Sequence, residues 1–346
     1  MVKVAVIGVG KMGISHLSIL GGMDNTSIVG VADTSTWVTH PLKKFSPFDV
    51  YSNHEDLLHE KEPDAVVVSV PTRFHAGMVE TLIQQGIHVF VEKPLTMNPE
   101  QSRSLVNLAK KYRVVNQVGY HNRFISTFRE AKRIISNGIL GKLVHFTAEA
   151  YGPVVTKKQQ NTWRFRSNDG GGCLMDYASH VLDLVAYIVS PIRDVQGTQL
   201  KSIYSDGVED AVYALLETKS NVSGVLQINW SEPSYRKMST SLSIQGTEGK
   251  LIVDATEIKL FLNQHNDHHG YRKGWNIMNH VHLTKQPAFY LRGEEYSLQL
   301  EYFIQSVEQN NPNEINNFEQ AALTDEVIHR IRNHHNRNHG TNHFWG

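Results

Sequence analysis

The chain has 346 residues, 40% hydrophobic and 20% charged, the balance of a soluble enzyme and long enough for two domains. Lys plus Arg equals Asp plus Glu at 34 each, so no overall field selects nucleic acid or an anionic membrane. A single cysteine, Cys173, excludes an intramolecular disulfide framework and fits a reducing, cytoplasmic setting; no leader or bilayer-spanning run is expected, because the first strand begins at residue 2 and no apolar stretch is long enough.

Val2–Ile7 reads as a buried strand and Lys11–Leu20 as a helix. Between them stands Gly8-Val-Gly10-Lys11-Met12-Gly13. In a Gly-x-Gly-x-x-Gly turn the first glycine permits the tight bend. The second admits a pyrophosphate to the backbone, and the third lets helix pack on strand. The helix N-terminus adds amides and a positive dipole end. The alternative is a tight turn with no ligand. A second strand, Ile28–Ala32, ends at Asp33, 20 residues after Gly13, the spacing of a carboxylate that holds the adenine ribose. The cofactor expected is therefore a dinucleotide. Asp33 would repel a 2′-phosphate and no arginine follows it immediately, which favours NAD over NADP.

Further strands are predicted at Ala65–Val70, His88–Val91 and Val114–Val118. Helices are predicted at His54–Glu60, His75–Gln85 and Pro99–Tyr112, the last capped by Asn98. Pro41 and Pro47 limit any helix between Thr36 and Tyr51 to a short one. Alternating strands and helices imply a doubly wound parallel sheet, a Rossmann-type α/β fold over residues 1–120. After Gly119 the pattern changes. Helix Phe124–Ser136 and strand Leu143–Ala150 lead to the basic segment Thr156–Arg166, three glycines and an amphipathic helix from Leu174 to Val189. Alternating runs at Ala211–Thr218, Val222–Trp230, Thr240–Gln245 and Lys250–Asp254 suggest a large, mostly antiparallel sheet. Residues 263–295 read as loop, Glu294–Asn310 and Glu319–Arg332 as closing helices, and the rest as a frayed tail. The second domain is thus 121–346, with a late helix that could pack back on the first.

Three stretches carry chemistry. Pro71, Thr72 and His75 follow a strand of the first sheet, where ligands of doubly wound folds bind; they are expected at the dinucleotide, unless Pro71 merely ends the strand and His75 starts the helix. Glu92-Lys93-Pro94 follows the next strand. Lys93 would lie at the nicotinamide end, where an ammonium can stabilise a developing alkoxide, the alternative being a surface ion pair. Asp176 and His180, at i and i+4 on one helix face after Gly170–Gly172, suit a general base with its orienting acid. A helix histidine can also be a satisfied polar residue. Asp176, His180 and Asp183 could be read as metal ligands, but no second coherent set joins them and no metal is expected. Cys173 reads as a small buried residue. His265, His268, His269, His334, His335, His339 and His343 read as exposed loop and tail residues rather than ligands.

In order and spacing, Gly8-x-Gly10-x-x-Gly13, Glu92-Lys93-Pro94 and Asp176-x-x-x-His180 resemble the Gfo/Idh/MocA oxidoreductases. Tyr120 and Arg123 in Gly119–Phe124, with Trp163 and Arg164, look like further family segments, so the resemblance covers nearly the whole chain. It implies a Rossmann domain, an α/β domain with an open sheet, a nicotinamide cofactor and a homodimer or homotetramer. It implies that Lys93, Asp176 and His180 are catalytic, and that Gly8, Gly10, Lys11, Met12, Gly13, Asp33, Pro71, Thr72, His75, Glu92, Lys93 and Arg123 border the cofactor. Tyr120, Arg123, Trp163 and Arg164 would join the catalytic residues around a sugar oxidised at a ring hydroxyl. Positive charge at Arg123, Lys157, Lys158, Arg164 and Arg166 leans towards a phosphorylated or nucleotide-linked sugar; a solvated basic loop is the alternative. A neutral sugar, an inositol, NAD-assisted hydrolysis or elimination, and a non-catalytic NAD-binding regulator are the competing functions.

Overall fold

The computed structural model describes residues 1–158, 162–284 and 291–339. Gln159–Asn161 of the basic segment and His343 lie outside them. The chain forms two compact units: 1–124 with 291–322, and 125–284 with 323–339. A change of pattern near residue 120 therefore marks the first passage out of the first unit, and the chain later returns to it.

In the first unit, six parallel strands run in the order β3-β2-β1-β4-β5-β6. They are β1 Val2–Ile7, β2 Thr26–Ala32, β3 Val50–Tyr51, β4 Ala65–Val68, β5 His88–Val91 and β6 Asn116–Val118. β1 and β4 are almost wholly buried, as parallel strands covered on both faces must be. Helices α1 Lys11–Leu20, α2 Thr36–Phe45, α3 His54–Lys61, α4 His75–Gln84 and α5 Pro99–Tyr112 connect them. α5 begins where expected: Asn98 accepts the Glu100 N–H at 2.8 Å and Pro99 occupies the first turn. α2 accommodates Pro41 in its interior, at the loss of one helix hydrogen bond.

Ile125–Leu283 begins with α6 Ser126–Ser136 and later includes α7 Ser179–Ile188 and α8 His280–Leu283. Eight strands form its sheet: β7 Leu143–Tyr151, β8 Ile192–Lys201, β9 Ala211–Thr218, β10 Ser223–Asn229, β11 Ser239–Gly246, β12 Gly249–Asp254, β13 Glu257–Leu262 and β14 Gly274–Asn279. Their order is β14-β13-β12-β11-β7-β10-β9-β8; only the β7–β10 pair is parallel among them. β8 breaks register twice against β9, which hides the period-2 pattern that would have marked it. β14 and α8 lie where a loop was expected, within a segment whose Asn and His residues mask the alternation of Trp275 and Ile277.

Two late helices complete the list, α9 Glu294–Gln309 and α10 Phe318–His339. Leu300, Phe303, Ile304 and Val307 of α9 join Val4, Val6 and Phe90 in one core of the first unit. Phe318 and Ala321 join its other core beside Val89 and Tyr120. α10 outlasts its expected end at Arg332 and replaces the frayed tail. His334 Nδ1 lies 3.0 Å from Thr198 Oγ1, and His335, 3% exposed, accepts the Leu200 N–H through Nδ1 at 3.4 Å. These two histidines anchor the helix on β8 and are not the exposed tail residues expected. No helix among the described residues is long and apolar enough to cross a membrane.

Candidate active site

The glycine turn is shaped by close approach. Gly8 has φ +85°, and a Cβ on it would stand 2.6 Å from the Ser69 carbonyl oxygen. A Cβ on Gly13 would stand 1.9 Å from the Gly8 oxygen, so α1 leaves the loop at a separation open to glycine alone. Gly10 differs: nothing lies within 4 Å of its Cβ position. It is the N-cap of α1 and has no side chain with which to cap. The loop thus presents bare backbone ahead of Lys11 and Met12, a cradle that fits a pyrophosphate.

Asp33 props this turn from the end of β2. Its Oδ2 accepts the Val9 N–H at 2.7 Å and its Oδ1 the Ser35 N–H at 2.8 Å. Each oxygen keeps a lone pair with which to accept from a ribose hydroxyl. Asp33→Ser is expected to weaken NAD binding about ten- to a hundredfold, the worth of hydrogen bonds to a charged group. It should weaken NADP binding less, because the repulsion of a 2′-phosphate goes with the carboxylate. Calorimetric titration with both dinucleotides checks this; equal losses would contradict it.

Pro71 and Thr72 follow β4 at the carboxyl edge of the sheet, with Thr72 opening a single turn to Phe74. His75, expected at the dinucleotide, is 1% exposed. Its Nε2 lies 2.9 Å from the Val70 oxygen and its Nδ1 3.0 Å from the Pro94 oxygen. It ties the loop after β4 to the Glu92-Lys93-Pro94 loop. Burial lowers its pKa, against the pull of those carbonyls.

Glu92 and Lys93 lie just beyond β5. The Glu92 Oε1 is 2.6 Å from His16 Nε2, and its Oε2 accepts the Lys93 N–H at 3.3 Å. Gly119 makes room: a Cβ there would stand 3.1 Å from Oε2. Burial alone would raise the Glu92 pKa, but the His16 hydrogen bond and the charges of His16, Lys93 and His121 hold it below the usual value. His16 was missed in the sequence. Its signal was a histidine one turn beyond Gly13 on the buried face of α1, beside Leu17, Ile19 and Leu20. Beside Glu92, His121 stacks on Tyr296 at 4.5 Å between centroids. Burial, aided by Lys93 and Arg292, lowers its pKa to about 4, so it is neutral at pH 7. Tyr120 belongs to the core, and its carbonyl accepts from the Asn316 amide at 2.8 Å. Arg123, 2% exposed, donates to Gln320 Oε1 at 2.6 Å.

The second unit brings Trp163, Arg164 and Asp176 together, with His180 further along the same helix. Gly170 and Gly172 take φ of +83° and +99°. A Cβ on Gly171 would stand 2.4 Å from the Arg164 oxygen. The Gly171 and Gly172 N–H groups donate to the Arg166 and Arg164 carbonyls at 2.9 and 3.0 Å. The glycines thereby clamp Trp163–Arg166 against the helix start. Leu174–Ala178 is a wide π turn, where a plain α-helix was expected, and α7 continues from it. Asp176 Oδ2 lies 3.4 Å from Arg164 Nε, and the Arg164 guanidinium lies over Trp163, 4.8 Å from its ring centre. His180 is 5% exposed, one turn on. Cys173 is buried; burial first, then the charges of Glu209, Asp210 and Asp176, push its thiol well above the usual value, so it is inert as a nucleophile.

A Rossmann sheet with a glycine cradle and a terminal carboxylate on β2 defines a dinucleotide-binding protein. Residues 2–120 match a family model described as oxidoreductase family, NAD-binding Rossmann fold, and residues 128–252 match the GFO/IDH/MocA C-terminal domain. The chain belongs to the Gfo/Idh/MocA oxidoreductases. It is 27% identical over 259 residues to D-glucoside 3-dehydrogenase of Escherichia coli, covering 67% of this chain and 70% of that one. It is 26% identical over 259 residues to scyllo-inositol 2-dehydrogenase (NAD(+)) of Bacillus subtilis, covering 73% of each. Levoglucosan dehydrogenase in complex with NADH and levoglucosan shares the fold, with a TM-score of 0.85 over 97% of both chains at 18% identity.

Proposed function

We propose that the protein oxidises a ring secondary hydroxyl of a sugar, C3-type, with NAD as its cofactor. The observation that carries this is the Asp176–His180 pair on one helix, in a chain whose Lys93 lies just beyond the fifth strand of an NAD-binding Rossmann sheet. Gly8, Gly10, Gly13 and Asp33 hold the dinucleotide. When bound, NAD supplies the acceptor for the hydride that leaves the carbinol carbon. His180 takes the hydroxyl proton, Asp176 orients the imidazole, and Lys93 donates a hydrogen bond to the oxygen as it gains charge. The products are a ketone, NADH and a proton. Arg164 positions Asp176, and Glu92, held ionised by His16, fixes the start of the lysine loop.

A neutral sugar is the favoured substrate class. Arg164 faces Asp176 at 3.4 Å, Arg166 faces Asp169 at 3.4 Å, and Arg123 donates to Gln320. Three of the five cations that suggested a phosphate are thus engaged by neighbours. Dehydrogenases of a D-glucoside and an inositol among the relatives support the same class. A phosphorylated or nucleotide-linked sugar draws its support from Lys157 and Lys158, which are exposed. A reducing cytoplasmic setting and a homodimer or homotetramer complete the proposal. The outer sheet face supports an oligomer, since it carries Leu215, Trp275 and Ile277 exposed at 52%, 55% and 61%. Incubation of each sugar class with excess NAD tests the proposal. Stoichiometric NADH is expected; turnover of sugar without NADH would establish transient oxidation instead.

A further inference from the structure

Glu209 lies just before β9, fully buried. Its backbone carbonyl accepts the Cys173 N–H at 3.0 Å. Its Oε1 accepts the Leu174 N–H, in the first turn of the helix, at 2.8 Å. The carboxyl reaches that amide because residue 172 is glycine: a Cβ there would stand 2.3 Å from Oε1. Oε2 is buried and has no hydrogen-bond partner among the described residues. A buried carboxyl oxygen without a donor is costly, and the neighbouring turn does not need one. Asp210 already serves that turn, taking the Ile203, Tyr204 and Ser205 N–H groups at 2.6, 2.6 and 2.8 Å and the Trp230 indole at 2.6 Å.

We propose that Glu209 is a positioning residue for Asp176 and His180: its carboxyl group caps the helix that carries them, and its charge state sets how firmly that first turn is held. This rests on the catalytic role given to the pair above. The charged and titratable groups around it are Arg332 from α10, Asp210 beside it, and Cys173 at the helix start. Burial is the main reason that Glu209 keeps its proton up to about pH 7, with Arg332 and the Leu174 amide pulling the other way and Asp210 adding to the rise. Near neutrality the group therefore passes from a neutral acceptor to a carboxylate. The carboxylate bonds the Leu174 amide more strongly and complements the positive helix end.

The test is a histidine NMR titration of the full chain without cofactor, with His180→Ala identifying the His180 resonance. In the wild type, the His180 resonance is expected to show an inflection near pH 7 that reports Glu209. Glu209→Gln keeps an acceptor for Leu174 and should erase that inflection while leaving the thermal midpoint and circular dichroism those of a folded protein. Glu209→Ala should lower kcat by about tenfold or more at every pH with KM for NAD unchanged, as misplacement of a catalytic group does; Glu209→Gln should restore most of kcat and flatten its pH profile. An unchanged His180 titration curve in Glu209→Gln would overturn the proposal. Full activity of His180→Ala would overturn the catalytic role of the pair instead, and the titration would still report whether Glu209 addresses that helix.

Discussion

Replacement of His180 by alanine is expected to lower kcat by about 10²–10⁴-fold, the usual worth of a positioned general base. Lys93→Ala is expected to cost about 10²–10³-fold, as loss of a donor aimed at a developing oxyanion does. His180→Ala should bind NAD as the wild type does, because His180 is not among the residues expected to border the cofactor; Lys93→Ala should also bind NAD more weakly, because Lys93 is expected at its nicotinamide end. The two should differ in pH dependence. His180→Ala removes the proton acceptor, so its residual rate should rise with hydroxide; Lys93→Ala should keep the wild-type profile at a lower level. Steady-state rates from pH 6 to 10 with fluorescence titration of NAD separate these outcomes. A wild-type kcat in either variant would remove that residue from the mechanism.

Gly13→Ala and Gly10→Ala should fail in different ways. The new methyl at 13 would meet the Gly8 oxygen at 1.9 Å, a backbone atom that cannot swing aside. The turn or the start of α1 must shift, which is expected to cost about 3 kcal/mol of stability with no cofactor present. At 10 the same methyl meets nothing within 4 Å, so the protein without cofactor should unfold at the wild-type midpoint. There the methyl occupies the open side of the cradle, and NAD affinity should fall about a hundredfold, as when a ligand loses close backbone approach. Thermal melts with and without saturating NAD read both effects. An equal loss of stability in the two variants would show that the glycines share one structural role.

The glycine turn was legible in the sequence because stereochemistry leaves so few ways to use Gly-x-Gly-x-x-Gly between a buried strand and a helix. Asp33 was legible from spacing, and α5 from Asn98 and Pro99, since both signals are local. What escaped detection was made by contacts between residues far apart. His16 and Glu92 are 76 positions apart and meet only once α1 and β5 are side by side. Glu209 is 35 positions from Leu174, and nothing near it in the chain marks it as a cap. The duty of His75 was not legible, because its two carbonyl partners come from different loops. α10 ran past its expected end, since a polar, Asn- and His-rich segment can be helical when β8 receives it. The π turn at Leu174–Ala178 is likewise invisible to a pattern of apolar spacing. Its first amide, Leu174 N–H, is taken by Glu209, a partner 35 positions away.

The most direct measurement is NADH formation at 340 nm from a panel of pure compounds: simple glucosides, levoglucosan, inositols, sugar phosphates and nucleotide sugars, each with excess NAD. One neutral class is expected to yield NADH in molar equivalence to a ketone product, with the signal lost in His180→Ala. Sugar consumed without NADH, or NADH formed equally well by His180→Ala, would contradict the assignment of this chain as a dehydrogenase that works through Lys93, Asp176 and His180.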